Sequence, residues 1–283
     1  MYYLPVIGAL ALASGTVLEK IVLKQKKVGI KLYQTAGFLA IVIGMLPLIY
    51  FFWKVDATAF ELKNIIIFSL VILFSIIANL FTFYSMKWEK ISNLEPAKIL
   101  EPLFVIFLAI LFSFFVEGLY ERNIKIIIPA LIAGSALIFS HIKKDHLDFN
   151  KYFIAAIFGS FFFALELVIT RLVLDYYSPI SFYFLRCLTI FLISFILFKP
   201  KFSELNKDVK IKIFLTGLIW VVYRVLVYYG YLKIGVIFTT LIIMLGPIFI
   251  YLFAWKFLKE KINWRNIIAS IIIVGCVLYA ILA

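Results

Sequence analysis

The chain has 283 residues, 65% of them hydrophobic and 15% charged, with a formal net charge of +13. A soluble core cannot absorb that much apolar surface, so the composition excludes an ordinary soluble domain and implies a polytopic membrane protein. The positive balance invites a nucleic-acid reading, but the bases lie in short loops between apolar stretches. That is the pattern of anchoring to anionic lipid, so membrane lipids are expected partners and nucleic acid is not.

Ten apolar segments follow in chain order, at about 3–23, 32–53, 64–86, 93–116, 126–142, 152–174, 180–198, 211–232, 236–257 and 266–283. Each is near the ~20 residues an α-helix needs to cross the hydrocarbon, and none has the ~10-residue alternation of a barrel strand. The expected class is therefore all-α, with ten transmembrane helices. The first segment lacks a positively charged leader and reads as a retained helix. No polar stretch is long enough for a separate soluble domain. Cys187 and Cys276 both sit inside apolar segments, where packing is a better reading than a disulfide or a metal pair.

An even number of spans puts both termini on one side. Loops after odd-numbered spans carry 18 Lys and Arg, from Lys24 to Arg265, and the other loops carry 6. The bias of basic residues toward the cytoplasm then places both termini outside the cell membrane.

The chain also repeats itself. Tyr84, Leu100 and Pro102 match Tyr229, Leu245 and Pro247 at an offset of 145, and Leu18-Glu19 matches Leu165-Glu166 at 147. The expected units are 1–145 and 146–283. Five spans per unit force the second to enter the membrane inverted relative to the first. Many secondary transporters build a mid-membrane site this way.

Several stretches of each half, read in order, resemble a known pattern. Tyr84-Ser85-Met86-Lys87-Trp88 precedes Leu100-Glu101-Pro102-Leu103-Phe104, then a charged hairpin at 117–122 and Gly134. The second half has Leu245-Gly246-Pro247-Ile248-Phe249, then Phe257-Leu258-Lys259-Glu260-Lys261 and Gly275. Together these resemble the EamA type of the drug/metabolite transporter superfamily. Pro179 with Arg186 seven residues on is similar to that family's seventh-helix opening. Gly15-Thr16-x-Leu18-x-Lys20 resembles the first helix of its small multidrug-resistance relatives. There are departures: Leu10-Ala11-Leu12 stands where those relatives carry a membrane Glu, and the first half has no Arg matching Arg186. The resemblance implies two inverted five-helix bundles around a central cavity that moves small metabolites. It also implies that one chain suffices, as a monomer or weak homodimer.

Ionisable groups inside spans are costly, at ~2.5–3.5 kcal/mol each on insertion scales, and so mark function. They are Glu19, Glu95, Lys98, Glu101, Glu166, Arg186 and Arg224. Glu19 and Glu166 are repeat equivalents, and with Glu101 they are candidates for proton or cation coupling. The alternative is that they snorkel or pair with Lys20, Lys24 or Arg171. Ser75, Asn79, Thr82 and Met86 make a polar stripe. Trp220, Tyr223, Tyr228 and Tyr231 make an aromatic one around Arg224. Asn79, Arg224, Trp220, Tyr228, Tyr223 and Ser75 are the candidate substrate contacts, because a guanidinium fork fits a carboxylate or phosphate and aromatic faces hold cations. The alternative is that Arg224 ties helices through Glu166 or Glu101. Lys98 is spaced to pair with Glu95 or Glu101. Arg186 is expected to pair with Asp175 across a hairpin rather than to face a cavity. Pro96, Pro102 and Pro247 interrupt their helices, and Pro102 and Pro247 are candidate gates.

No phosphate-cradling Gly loop, nucleophile elbow or His-Glu-x-x-His occurs, so no ATP motor, enzyme, cofactor or metal is expected. The reading is a secondary transporter for a small polar or amphipathic metabolite, amino-acid-like, working by alternating access with proton or gradient coupling. The alternative is a flippase for a lipid-linked headgroup.

Overall fold

The computed structural model describes residues 2–89, 94, 97–141, 150–249, 252 and 264–282. Ten α-helices account for most of these: α1 Tyr3–Leu23, α2 Ile30–Phe52, α3 Leu62–Trp88, α4 Leu100–Ser113, α5 Ile124–His141, α6 Lys151–Thr170, α7 Pro179–Phe198, α8 Lys207–Lys233, α9 Val236–Ile243 and α10 Trp264–Leu282. Among the described residues the only strand-like pairing is an isolated bridge, Val55 to Tyr177.

Among the described residues, seven helices are long and apolar enough to span a bilayer: α1, α2, α3, α6, α7, α8 and α10. Helices α4, α5 and the apolar segment Val236–Phe249 are shorter. The early part of the fourth expected span, with Glu95 and Pro96, and the end of the ninth lie outside the described residues. So does the Phe257–Lys261 motif. The sixth span ends earlier than its apolar stretch: α6 stops at Thr170, and Leu174–Tyr176 is a short 3-10 turn.

Local chemistry sets several boundaries. The Asn150 side chain accepts from the amides of Tyr152 and Phe153 at the start of α6. Ser178 caps α7, with Pro179 at its first position, and Asn206 caps α8. These side-chain oxygens satisfy amides that have no partner within the helix. At the other end, α1 and α3 cap each other. Lys20 of α1 donates to the carbonyls of Met86 and Glu89 at the end of α3. Lys87 of α3 donates to the carbonyl of Leu23 at the end of α1, at 3.3 Å, and to that of Val28 in the α1–α2 connection, at 2.7 Å. Each lysine thus serves carbonyls that have run out of helical amides.

The most extensive helix pairs are α3 with α6, α1 with α8, α5 with α10 and α2 with α7. All four join the first five helices to the last five. Close approach is needed along α3 and α6, where a Cβ on Gly159 would lie 2.5 Å from Thr82 Oγ1. In lipid, tight packing of this kind replaces the hydrophobic force that drives soluble helices together.

Two helices break at related places. Ile99 is a turn residue between helical Lys98 and α4, and Met244-Leu245 is a turn before the helical residues 246–249. Pro102 and Pro247 follow by three residues and have no amide for the carbonyls of Lys98 and Ile243. The Leu245 amide turns instead to the Ile242 carbonyl, at 3.0 Å.

Outside the spans, the α4–α5 connection is pinned to the second half. Tyr120 donates to the Val168 carbonyl at 2.9 Å. The Glu121 carboxylate accepts from the Phe238 amide at 3.2 Å, at the start of α9. Burial pushes the Glu121 carboxyl above the ordinary range, and the amides of residues 236–238 pull it back. Gly235 lets Glu121 come this close. It has φ +89°, and a Cβ there would lie 1.9 Å from Glu121 Oε1.

Candidate functional site

A cavity of about 180 Å³ lies at the meeting point of nine helices, all but α10, and takes its wall from both breaks. Small and polar positions open it: Thr16 on α1, Gly37 on α2, Thr82 on α3, Ser160 on α6, Thr216 and Gly217 on α8. The helix breaks contribute Ile99, Glu101, Pro102, Met244 and Pro247.

At one side Glu166, fully buried on α6, gathers two guanidinium groups. Arg186 Nε lies 3.2 Å from its Oε1, and Arg224 Nη1 lies 3.5 Å from its Oε2. Tyr228 and Thr170 add hydroxyl donors to Oε1, at 3.2 and 3.4 Å. Arg186 also donates to Ser75 Oγ at 2.5 Å, which ties α7 to α3. Arg224 lies between the rings of Phe163 and Tyr223, 5.4 Å from each centroid, and Arg186 sits over Tyr183. Both arginines reach the cavity wall, whereas Glu166, Ser75 and Tyr228 stand behind it.

Elsewhere on the wall Glu19 is held by neutral donors, Trp220 Nε1 at 3.1 Å and Tyr33 Oη at 3.4 Å. Lys98 and Glu101 complete the charged set. Lys98 acts electrostatically on both Glu19 and Glu101, and Glu101 also feels Arg224 and Glu166. The six charged groups are Glu19, Lys98, Glu101, Arg224, Glu166 and Arg186. Three acids and three bases balance formally. In a wall of low dielectric, such balance offsets the cost of removing each charge from water.

Most expected site residues meet here. Asn79, Arg224, Trp220, Tyr223, Glu19, Glu101, Pro102 and Pro247 all line the cavity. Asn79 turns its amide donor to its own helix, at the Ser75 carbonyl. The polar stripe on α3 divides: Asn79 and Thr82 reach the cavity, while Ser75 and Met86 are buried elsewhere. Glu19 and Glu166 do not pair with Lys20, Lys24 or Arg171. Arg186 does not pair with Asp175, because Arg171 takes that partner at 2.6 Å, one turn along the same segment. With Asp175 taken, Arg186 turns inward to Glu166. Sequence reasoning also passed over Tyr33 and Gln34, since a search for ionisable groups does not see a phenol or an amide. A lone Gln within the apolar stretch of α2 was the available signal.

Residues 150–282 match the EamA-like transporter family model. That match, over just under half of the chain, places it in the drug/metabolite transporter superfamily. Members of this family are membrane transporters rather than enzymes, and the apolar helices agree with a multi-pass membrane protein. No curated protein matches the chain at a significant level. Among solved structures, one crystal structure superposes over 99% of this chain and 95% of its own, with a TM-score of 0.69 at 16% identity. That likeness concerns the fold alone.

Proposed function

We propose that this EamA-type protein is a secondary transporter for a small zwitterionic or anionic metabolite, amino-acid-like in its chemistry. The observation that carries the reading is the charge arrangement of the cavity wall. Two guanidinium forks on one side and a carboxylate held by neutral donors on another suit a solute with an anionic and a donor-bearing end. A cavity of about 180 Å³ suits a small solute; ~150 Å³ of comparable space holds a benzene. It gives little room for a lipid-linked headgroup, the rival occupant.

The halves 1–145 and 146–283 are read as inverted repeats. Exchanging each of the first five helices with its counterpart five later turns the α1–α8 pair into α6–α3, and leaves α2–α7 and α5–α10 unchanged. The breaks at Ile99 and Met244 stand at the repeat spacing, as do Pro102 and Pro247. Bending at both would open the cavity to each side in turn. Glu19 is the proton-coupling residue of choice, because a solute or proton in the cavity reaches it directly. Glu101 is second, and Glu166 serves chiefly to position the arginines. The lysine-bearing loops are cytoplasmic in this reading, so the α1–α3 clasp closes the inner side and the Glu121 contact the outer.

Counterflow of radiolabelled valine into proteoliposomes tests the reading. The expected result is exchange that depends on internal unlabelled solute and is absent with Arg224→Ala. Uptake in wild type and Arg224→Ala alike would refute the site.

A further inference from the structure

The charged groups leave one wall of the cavity unexplained. Gln34, on α2, has no exposed surface and lines the cavity. Its amide nitrogen donates to Ser194 Oγ on α7 at 3.1 Å. Its carbonyl oxygen, Oε1, is buried and has no hydrogen-bond partner among the described residues. A buried amide oxygen is expected to find a donor, because leaving one unmet loses the hydration it had in water. Ser194 takes the amide nitrogen, and Gln34 is a wall residue, so a donor for the vacant oxygen can come from the cavity. Several donors of the wall are already engaged. The Tyr33 hydroxyl and the Trp220 indole are committed to Glu19, and Thr216 is committed to the Lys212 carbonyl of its own helix.

We infer that Gln34 Oε1 is a specificity-determining acceptor that reads a hydrogen-bond donor, an amino or hydroxyl group, on the transported solute. The inference rests on the transporter reading above and sharpens it. The arginines take the anionic end, and Gln34 selects solutes that also carry a donor. A site with a buried acceptor rejects a solute lacking the donor, because binding then strips water from the oxygen and returns nothing.

The test compares valine, 2-hydroxyisovalerate and isovalerate, which share a carboxylate and a branched body and differ only in carrying an ammonium, a hydroxyl or no donor. Their Kd values are measured by titration calorimetry on the full-length protein in detergent. Wild type is expected to bind isovalerate at least about tenfold more weakly than the other two. Gln34→Leu removes the acceptor at similar volume, and should bring valine and 2-hydroxyisovalerate down to the level of isovalerate while leaving isovalerate itself unchanged. Gln34→Glu keeps an acceptor and should keep the gap, as should Ser194→Ala, which touches only the support. If Gln34→Leu does not fold, Gln34→Met gives the same comparison. Equal binding of all three probes by wild type overturns the inference, and so does a gap that survives Gln34→Leu. In both cases carboxylate binding that is lost in Arg224→Ala would leave the transporter reading standing. Binding of none of the three overturns both.

Discussion

Glu19 and Glu166 follow the same Leu at an offset of 147 in the sequence, yet the structure surrounds them differently. Glu166 is sealed behind the cavity wall by two arginines, a tyrosine and a threonine. Glu19 faces the cavity and is held only by an indole and a phenol. The cause lies in their neighbours. Arg186 and Arg224 arise only in the second half; in the first half the positions at the matching offset from Arg186 hold Leu39 or Ile41. One carboxylate is a fixed anchor, and the other is left free to change partners.

The largest expected effect falls on the anchor. Glu166→Leu removes the carboxylate that both buried guanidinium groups face and should cost about 3–5 kcal/mol. A large drop in Tm by scanning fluorimetry in detergent would report it. Glu19→Gln keeps an acceptor for Trp220 and Tyr33 and should change stability by less than about 1 kcal/mol. A similar drop in both variants would erase the distinction between anchor and free carboxylate.

Arg224→Ala comes next. Arg186 still holds Glu166, so the fold should survive while solute binding disappears. Glu19→Gln should flatten the pH dependence of transport in proteoliposomes, whereas a wild-type profile would remove Glu19 from coupling. At the α9 start, Gly235→Ala forces a side chain into a left-handed position against Glu121 and should cost about 1–3 kcal/mol. Chemical denaturation would measure it, and Glu121→Ala, which only removes a cap, should cost about 1 kcal/mol. The smallest effect is expected at Arg171→Ala. Its pair with the half-exposed Asp175 should be worth under about 1 kcal/mol.

Much of the fold was legible because the bilayer makes length and apolarity nearly sufficient: seven spans agree with helices that could cross a membrane. The breaks at Ile99 and Met244 were announced by Pro102 and Pro247. Arg224, Trp220, Tyr223, Asn79 and Glu19 reached the cavity as their charge or their stripe suggested. Periodicity failed within each stripe, however. Ser75 and Tyr228 share faces with Asn79 and Arg224 but stand behind the wall, since a helix crossing the cavity presents only a turn or two to it. Arg186 was misread for a different reason. Sequence proximity favoured Asp175, and the competition from Arg171, four residues from Asp175, was settled only by geometry.

The most direct test of the central claim is a thermal-shift screen of the purified protein against amino acids, nucleotides, sugars, polyamines and lipid headgroups. The account predicts saturable stabilisation by small carboxylate-bearing solutes, as linkage requires of a ligand that binds only the folded state, and its loss in Arg224→Ala. Stabilisation by lipids alone, with every soluble metabolite silent, would contradict it.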